Sequence, residues 1–229
     1  MTPELVEQLI VGGFVALGGV VTAYLAAGYS SARSEIRAAA ERLRRQQDRI
    51  THVFLDIETL GIAHDAPVLV VAACVVDSRG REVKAGQWRI HEASARHWGT
   101  SCAATEQWWS EQSPEAIHSA FQATPRVDHG TAMRAFAAFV AEIGGEVWVW
   151  GNAPTFDCSI LRHALEQAET TVPWAFWQER DCRTVAALGK GAGSDSKANT
   201  PFEGTPHDAL DDARHQAKYT MKALRRLGA

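Results

Sequence analysis

The chain has 229 residues, 46% of them hydrophobic and 22% charged, with a formal net charge of -4; this is enough apolar material for one well-buried domain plus an appendage, and it excludes a disordered chain. The mildly acidic balance also excludes recognition of a polyanion by bulk charge, so a nucleic-acid partner has to be argued from a site. The four cysteines, Cys74, Cys102, Cys158 and Cys182, show no paired spacing, which argues against a zinc knuckle and against a secreted disulfide scaffold.

The stretch LIVGGFVALGGVVTAYLAAGY, residues 9–29, carries no charge and as a helix is long enough to cross a hydrocarbon layer of roughly 30 Å. It predicts a membrane anchor over residues 1–30. Glu4 and Glu7 precede it, and Arg33, Arg37, Arg42, Arg44, Arg45 and Arg49 follow it, an asymmetry that places the following domain in the cytoplasm. The alternative is a buried helix, because glycines at 12, 13, 18, 19 and 28 weaken insertion; the protein would then be soluble and cytoplasmic. Residues 31–50 are rich in helix formers, with Ile36, Leu43 and Ile50 seven residues apart, and read as a basic helical linker.

Residues 51–229 form the expected globular domain. THVFLDIE, PVLVVAACVVD and EVKAGQWRIH predict three strands with short links, an antiparallel meander. Helices are expected around Ala104–Gln112 and Pro114–Gln122, and then over GTAMRAFAAFVAEIGG, which ends on glycine. EVWVWGN predicts a fourth strand, FDCSILRHALEQA a helix opening directly after it, CRTVAAL a helix capped by Asp181, and DALDDARHQAKYTMKALRRL a long final helix. This order implies an α/β fold, a mixed central sheet flanked by helices.

Side chains alternate along a strand, so Asp56 and Glu58 in HVFLDIETLG point to the same side. Two like charges that close repel, and burial raises the cost further unless a cation lies between them. Asp157 follows the fourth strand on the first turn of a helix, and HDALDDA brings His207 and Asp212 to the start of the last one. Four acids from three elements plus a histidine are the parts needed to hold two divalent cations and activate a water. Carboxylate oxygens are the ligands that Mg²⁺ or Mn²⁺ prefers. A histidine, with an ordinary pKa near 6.5, suits the removal of the water's proton.

DIETLG, GNAPTFD and HDALDDA resemble the three exonuclease motifs of the DEDDh, RNase T-like superfamily. TEQWWSEQSPEA (105–116) and PWAFWQERDCRT (173–184), with GNAPTFD, are similar to the phage exonuclease A (DexA) type and the related Rv2179c-like 3'-5' exoribonucleases. The resemblance spans roughly Val53 to Leu227 and implies a ribonuclease H-like fold. It implies Asp56, Glu58, Asp157 and Asp212 as metal ligands for two divalent ions, Mg²⁺ or Mn²⁺, and His207 as general base. By motif spacing Asp208 caps the helix. The implied activity is 3'-5' exonucleolytic hydrolysis of single-stranded DNA or RNA, releasing nucleoside 5'-monophosphates.

The same resemblance implies that Thr59, Leu60 and Gly61 meet the terminal nucleotide, with Leu60 wedged against a base. Trp109 with its neighbour Trp108, Asn152, Phe156 and Arg183 complete the expected substrate contacts; at least one of the adjacent tryptophans should be core. Residues 189–206 are expected to form either a mobile loop that carries His207 to the site, with Lys190 and Lys197 near a nucleic-acid backbone, or a disordered surface connection without function. The expected partners are single-stranded 3' ends and, through residues 9–29, a membrane, with a second copy of the chain as a further candidate. Alternatives are a weakly catalytic, membrane-tethered nucleic-acid-binding module and a ribonuclease H-like endonuclease. An all-helical histidine-aspartate phosphohydrolase conflicts with the strands, and a Ser-His-Asp hydrolase lacks the Gly-x-Ser-x-Gly elbow.

Overall fold

The computed structural model describes residues 50–228 together with Ala38. The predicted anchor over residues 9–29 and the remainder of the basic linker lie outside the described residues. The chain divides into two units, and all the elements below belong to the second, Arg49–Ala229. Among the described residues no helix is long and apolar enough to cross a membrane.

Five strands, β1 (Ile50–Thr59), β2 (Val68–Val76), β3 (Glu82–Arg89), β4 (Glu146–Gly151) and β5 (Glu179–Asp181), form one sheet in the order β3-β2-β1-β4-β5. β1, β2 and β3 pair antiparallel, as the short links between them require, whereas β4 and β5 join parallel to β1 and to each other. The sheet is therefore mixed, as expected. β2 reads VLVVAACVV and is buried at every position, the continuous apolar run of a strand covered on both faces.

The helices are α1 (Glu92–His97), α2 (Ala103–Ser110), α3 (Pro114–Ile117), α4 (His129–Ala141), α5 (Asp157–Gln167), α6 (Cys182–Gly191) and α7 (Ala209–Leu227). The helix expected over Pro114–Gln122 is one short α-turn followed by a wider π-turn, His118–Gln122. α6 runs on to Gly191, so the expected 189–206 loop begins later than its sequence suggests. Several contacts tie that segment down: Lys190 pairs with Asp195 at 2.9 Å, Lys222 Nζ donates to the Asn199 carbonyl, and Ser196 is fully buried.

The alternation of β1 sorts its side chains into two cores. Val53, Leu55 and Ile57 belong to the main one, shared with Met133 and Phe136 of α4 and with Ile160 and Leu161 of α5. Phe54 points the other way, into a second core with Trp150 and with Ala213, Ala217, Met221 and Leu224 of α7. Those four α7 residues recur every three or four positions, the stripe an amphipathic helix lays on a sheet. α7 starts on Asp208, whose carboxylate accepts from the backbone N–H groups of Leu210 and Asp211, and stops at Gly228 in a left-handed conformation (φ 77°). Asp56 and Glu58 continue the face of Phe54, so they point toward α7.

Candidate active site

Pairing between β1 and β4 ends at Phe54 opposite Trp150, while β1 remains paired with β2 as far as Thr59, past an irregularity at Glu58. Asp56 and Glu58 therefore stand beyond the end of β4, where the sheet opens. The chain leaves β4 at Gly151 and turns through Ala153 (φ 133°) before Asp157 opens α5. A Cβ on Gly151 would lie 2.8 Å from Asp157 Oδ2 and 3.1 Å from Asp157 Cβ. Glycine is what lets this carboxylate approach the strand end.

The third part comes from the start of α7. Asp208 is fixed as its cap by the Ser119 hydroxyl and by Gln87 as well as by the helix itself, which leaves Asp212, one turn later, to face the opening. His207, just before the cap, is left-handed (φ 65°), a conformation that costs a non-glycine residue on the order of 1–3 kcal/mol and persists only when its surroundings enforce it. Here its backbone N–H donates to Asp212 Oδ2 at 2.6 Å, and its ring stands edge-on to Trp108 with centroids 4.9 Å apart. Gln216, on the same face of α7 one turn after Asp212, donates through Nε2 to Asp56 Oδ1 at 2.6 Å. Tyr219 in turn donates its hydroxyl to Asn152 Oδ1 at 3.2 Å.

Carboxylate oxygens of Asp56, Glu58 and Asp212 lie within 4.8 Å of one another. Asp157, only 3% exposed, lines the same cavity. Burial, followed by the charges of Glu58, Asp157 and Asp212, pushes Asp56 well above the usual carboxylate range, and the bond from Gln216 opposes this. Glu58 is likewise driven well up by burial and by Asp212, Asp208 and Asp157. Burial raises Asp157 to about 7 against the pull of backbone N–H groups and Arg183, and it raises Asp212 against the pull of His207. Acids that are this disfavoured as anions, with the oxygens of Asp56, Glu58 and Asp212 brought together and Asp157 on the same cavity, fit a divalent cation. The all-carboxylate donor set suits a hard ion such as Mg²⁺ or Mn²⁺ and not a thiophilic one.

The cavity holds about 670 Å³, within the range of small-molecule and nucleotide sites. Of the residues expected to meet substrate, Thr59, Gly61, Trp109, Asn152, Phe156 and Arg183 line it. Leu60 does not. It is 1% exposed, in the main core, because its N–H and carbonyl are tied to Pro67 and Cys102 and its side chain is turned inward. Ile62, two residues on, is 75% exposed and lines the cavity. Trp109 is the core member of the tryptophan pair: it is 3% exposed and its Nε1 donates to the Thr59 carbonyl at 2.8 Å, whereas Trp108 is 39% exposed. Ile62 and Gln216 escaped the sequence reading. Only the four-residue step from Asp212 could have singled out Gln216.

Residues 51–224 match the 3'-5' exoribonuclease Rv2179c-like domain family. No curated protein matches the chain. Among solved structures, E. coli exonuclease I in complex with a dA16 oligonucleotide superposes with a TM-score of 0.54 at 17% identity, over 77% of this chain and 41% of that one. Cell-death related nuclease 4 superposes with a TM-score of 0.53 at 13% identity, over 78% of this chain and 64% of that one. The chain thus spans about two fifths of exonuclease I and under two thirds of the second nuclease. At these identities the likeness establishes the fold, the ribonuclease H-like arrangement of a mixed sheet flanked by helices.

Proposed function

The chain belongs to the 3'-5' exoribonuclease Rv2179c-like domain family, and with it to the 3'-5' exonucleases; from that premise we propose that it removes nucleoside 5'-monophosphates one at a time from the 3' ends of single-stranded RNA or DNA. The observation that carries this reading is the convergence of Asp56, Glu58 and Asp212 within 4.8 Å in a cavity that Asp157 and His207 also line. Asp56, Glu58, Asp157 and Asp212 would hold two divalent cations, Mg²⁺ or Mn²⁺. Two such ions neutralise charge developing on the attacking and leaving oxygens of a phosphodiester.

The protein's own groups supply the rest. An imidazole nitrogen of His207 takes the proton of the attacking water, with the ring held by Trp108 and the backbone by Asp212. Trp108 and Ile62 offer apolar surface for the terminal base; a base stacked on an aromatic ring gains about 1–3 kcal/mol. The exposed Arg183 is suited to a phosphate at the rim. The oligonucleotide-bound state of exonuclease I supports a single-stranded substrate. The uncharged stretch at 9–29 and the arginines after it support tethering of this domain to the cytoplasmic face of a membrane.

The test is degradation of matched RNA and DNA oligonucleotides, labelled at the 5' end, by the full chain with Mg²⁺. A ladder shortening from the 3' end that stops on chelation is expected. His207→Ala should lose about 100- to 10,000-fold in rate, the contribution of an acid-base group, while still binding metal. Internal cleavage, or turnover that survives both chelator and the His207 variant, would overturn the reading.

A further inference from the structure

α7 carries a buried amide into the carboxylate cluster. Gln216 is 4% exposed and lines the cavity. Its Nε2 donates to Asp56 Oδ1 at 2.6 Å. Its Oε1 is buried too, yet has no hydrogen-bond partner among the described residues. Buried amide oxygens are seldom left so, because removing one from water without compensation costs more than a made bond returns. The two ends of this amide are not interchangeable. Turned over, Oε1 would face an Asp56 oxygen that a bound cation keeps ionised, and both would be acceptors.

We propose that Gln216 is the positioning residue of this site: its amide N–H group holds one oxygen of Asp56 so that the other faces the cation, and its Oε1 accepts a hydrogen bond from a water in the cavity. This rests on the metal-dependent reading of the cluster and deepens it. Three observations bear on it. Asp56 is a strand residue that the charges of Glu58, Asp157 and Asp212 disfavour as an anion, and the hydrogen bond from Gln216 opposes them. Gln216 and Asp212 are one turn apart on α7, so a single helix sets the placement of Asp212 and of the amide that holds Asp56. Gln216 is itself 4% exposed and follows the fully buried Ala213 by one turn of α7, so packing leaves the amide little freedom. Partners that orient a metal's ligands typically account for 10- to 100-fold in metal affinity or activity.

The experiment uses the full chain and reads Mn²⁺ binding directly by calorimetry, with turnover measured across a Mn²⁺ series. Gln216→Met keeps the length and apolar packing and removes both polar atoms; Gln216→Glu keeps the shape and puts an acceptor against Asp56. Both should retain the wild-type unfolding temperature without metal within a few degrees. Gln216→Met should weaken Mn²⁺ binding about 10-fold or more and shift the Mn²⁺ concentration for half-maximal rate by the same factor, with the KM for oligonucleotide at saturating Mn²⁺ unchanged. Wild-type Mn²⁺ affinity in Gln216→Met would overturn the proposal, as would a loss confined to KM. Failure of the underlying reading looks different: wild type and Asp56→Ala would then bind Mn²⁺ equally, or not at all.

Discussion

His52 and the site carboxylates show how burial acts in opposite directions on acids and bases within one strand. His52 is 5% exposed, and its Nδ1 accepts from Trp150 Nε1 at 3.0 Å, which fixes a neutral ring. Burial first, then the charge of Arg180, lowers its pKa to about 4. The native state thus refuses a proton that the unfolded chain accepts near pH 6.5. Its contribution to stability is complete above pH 6.5 and is lost as the pH falls toward 4, by up to about 3 kcal/mol on linkage grounds. The raised Asp157 contributes the reverse slope, so a comparison with a variant isolates the histidine. In urea melts between pH 7 and pH 5, His52→Asn should lose less stability than wild type; an equal loss would contradict a neutral His52. The same raised carboxylates must give up protons to bind a cation, so metal affinity should weaken as pH falls below about 7, with proton release detectable by calorimetry in buffers of different ionisation heat. Affinity independent of pH from 8 to 6 would contradict the burial argument. At this scale the four acids and His207 were legible because their residue types and spacings have few other uses together. Leu60 was misplaced and Ile62 missed because a turn decides which of two neighbouring apolar residues faces inward, and no periodicity spans it. Gln216 was silent because a lone glutamine on a helix full of charges reads as solvated.

β4, α5 and α7 carry the site, and their own packing sets its precision. Gly151→Ala places a methyl 2.8 Å from Asp157 Oδ2, so the start of α5 must shift or the carboxylate rotate away. A displacement of about 1 Å at a reacting centre costs on the order of 100-fold, and kcat should fall by about that much with the fold retained. Wild-type turnover in this variant would show that Asp157 does not need its present place. Leu161 of α5 is fully buried in the main core; Leu161→Ala should cost about 2–5 kcal/mol in chemical denaturation. Stability within about 1 kcal/mol of wild type would mean that the helix is not seated as described. β1 to β4, α4, α5 and α7 were readable because each has either period-two alternation, an unbroken apolar run or a 3.6-residue stripe. β5 is three residues long with the sequence Glu-Arg-Asp, and α1 buries only Ala95. Such short pieces carry no period, and only their pairing or packing partners define them. The π-turn after α3 likewise leaves the sequence looking like a continuing helix.

Across the whole chain, binding at the carboxylate cluster is linked to the stability of the entire fold, because β1, α5 and α7 all meet there. A ligand at about 100 times its dissociation constant stabilises by about 2.7 kcal/mol. Mg²⁺ or Mn²⁺ should therefore raise the unfolding temperature of the wild type and leave that of Asp56→Ala in place; a shift of equal size in both would put the ion elsewhere. The proposed tether is tested at this scale too. Full-length protein from fractionated cells should sediment with membranes and be released by detergent, and recovery in the soluble fraction alone would remove the anchor from the account. The architecture was open to sequence reasoning because strand order follows from short links and from the helices between later strands. The place of Ile62 on the cavity beside Trp108 and Phe156 was not, since it depends on a turn between separate segments. The most direct test of the central claim, that these four carboxylates are a divalent-cation site, is anomalous diffraction from crystals of the protein soaked in Mn²⁺. The account predicts manganese peaks against Asp56, Glu58 and Asp212, with Asp157 on a second ion. A catalytically active crystal with no manganese at these oxygens would contradict it.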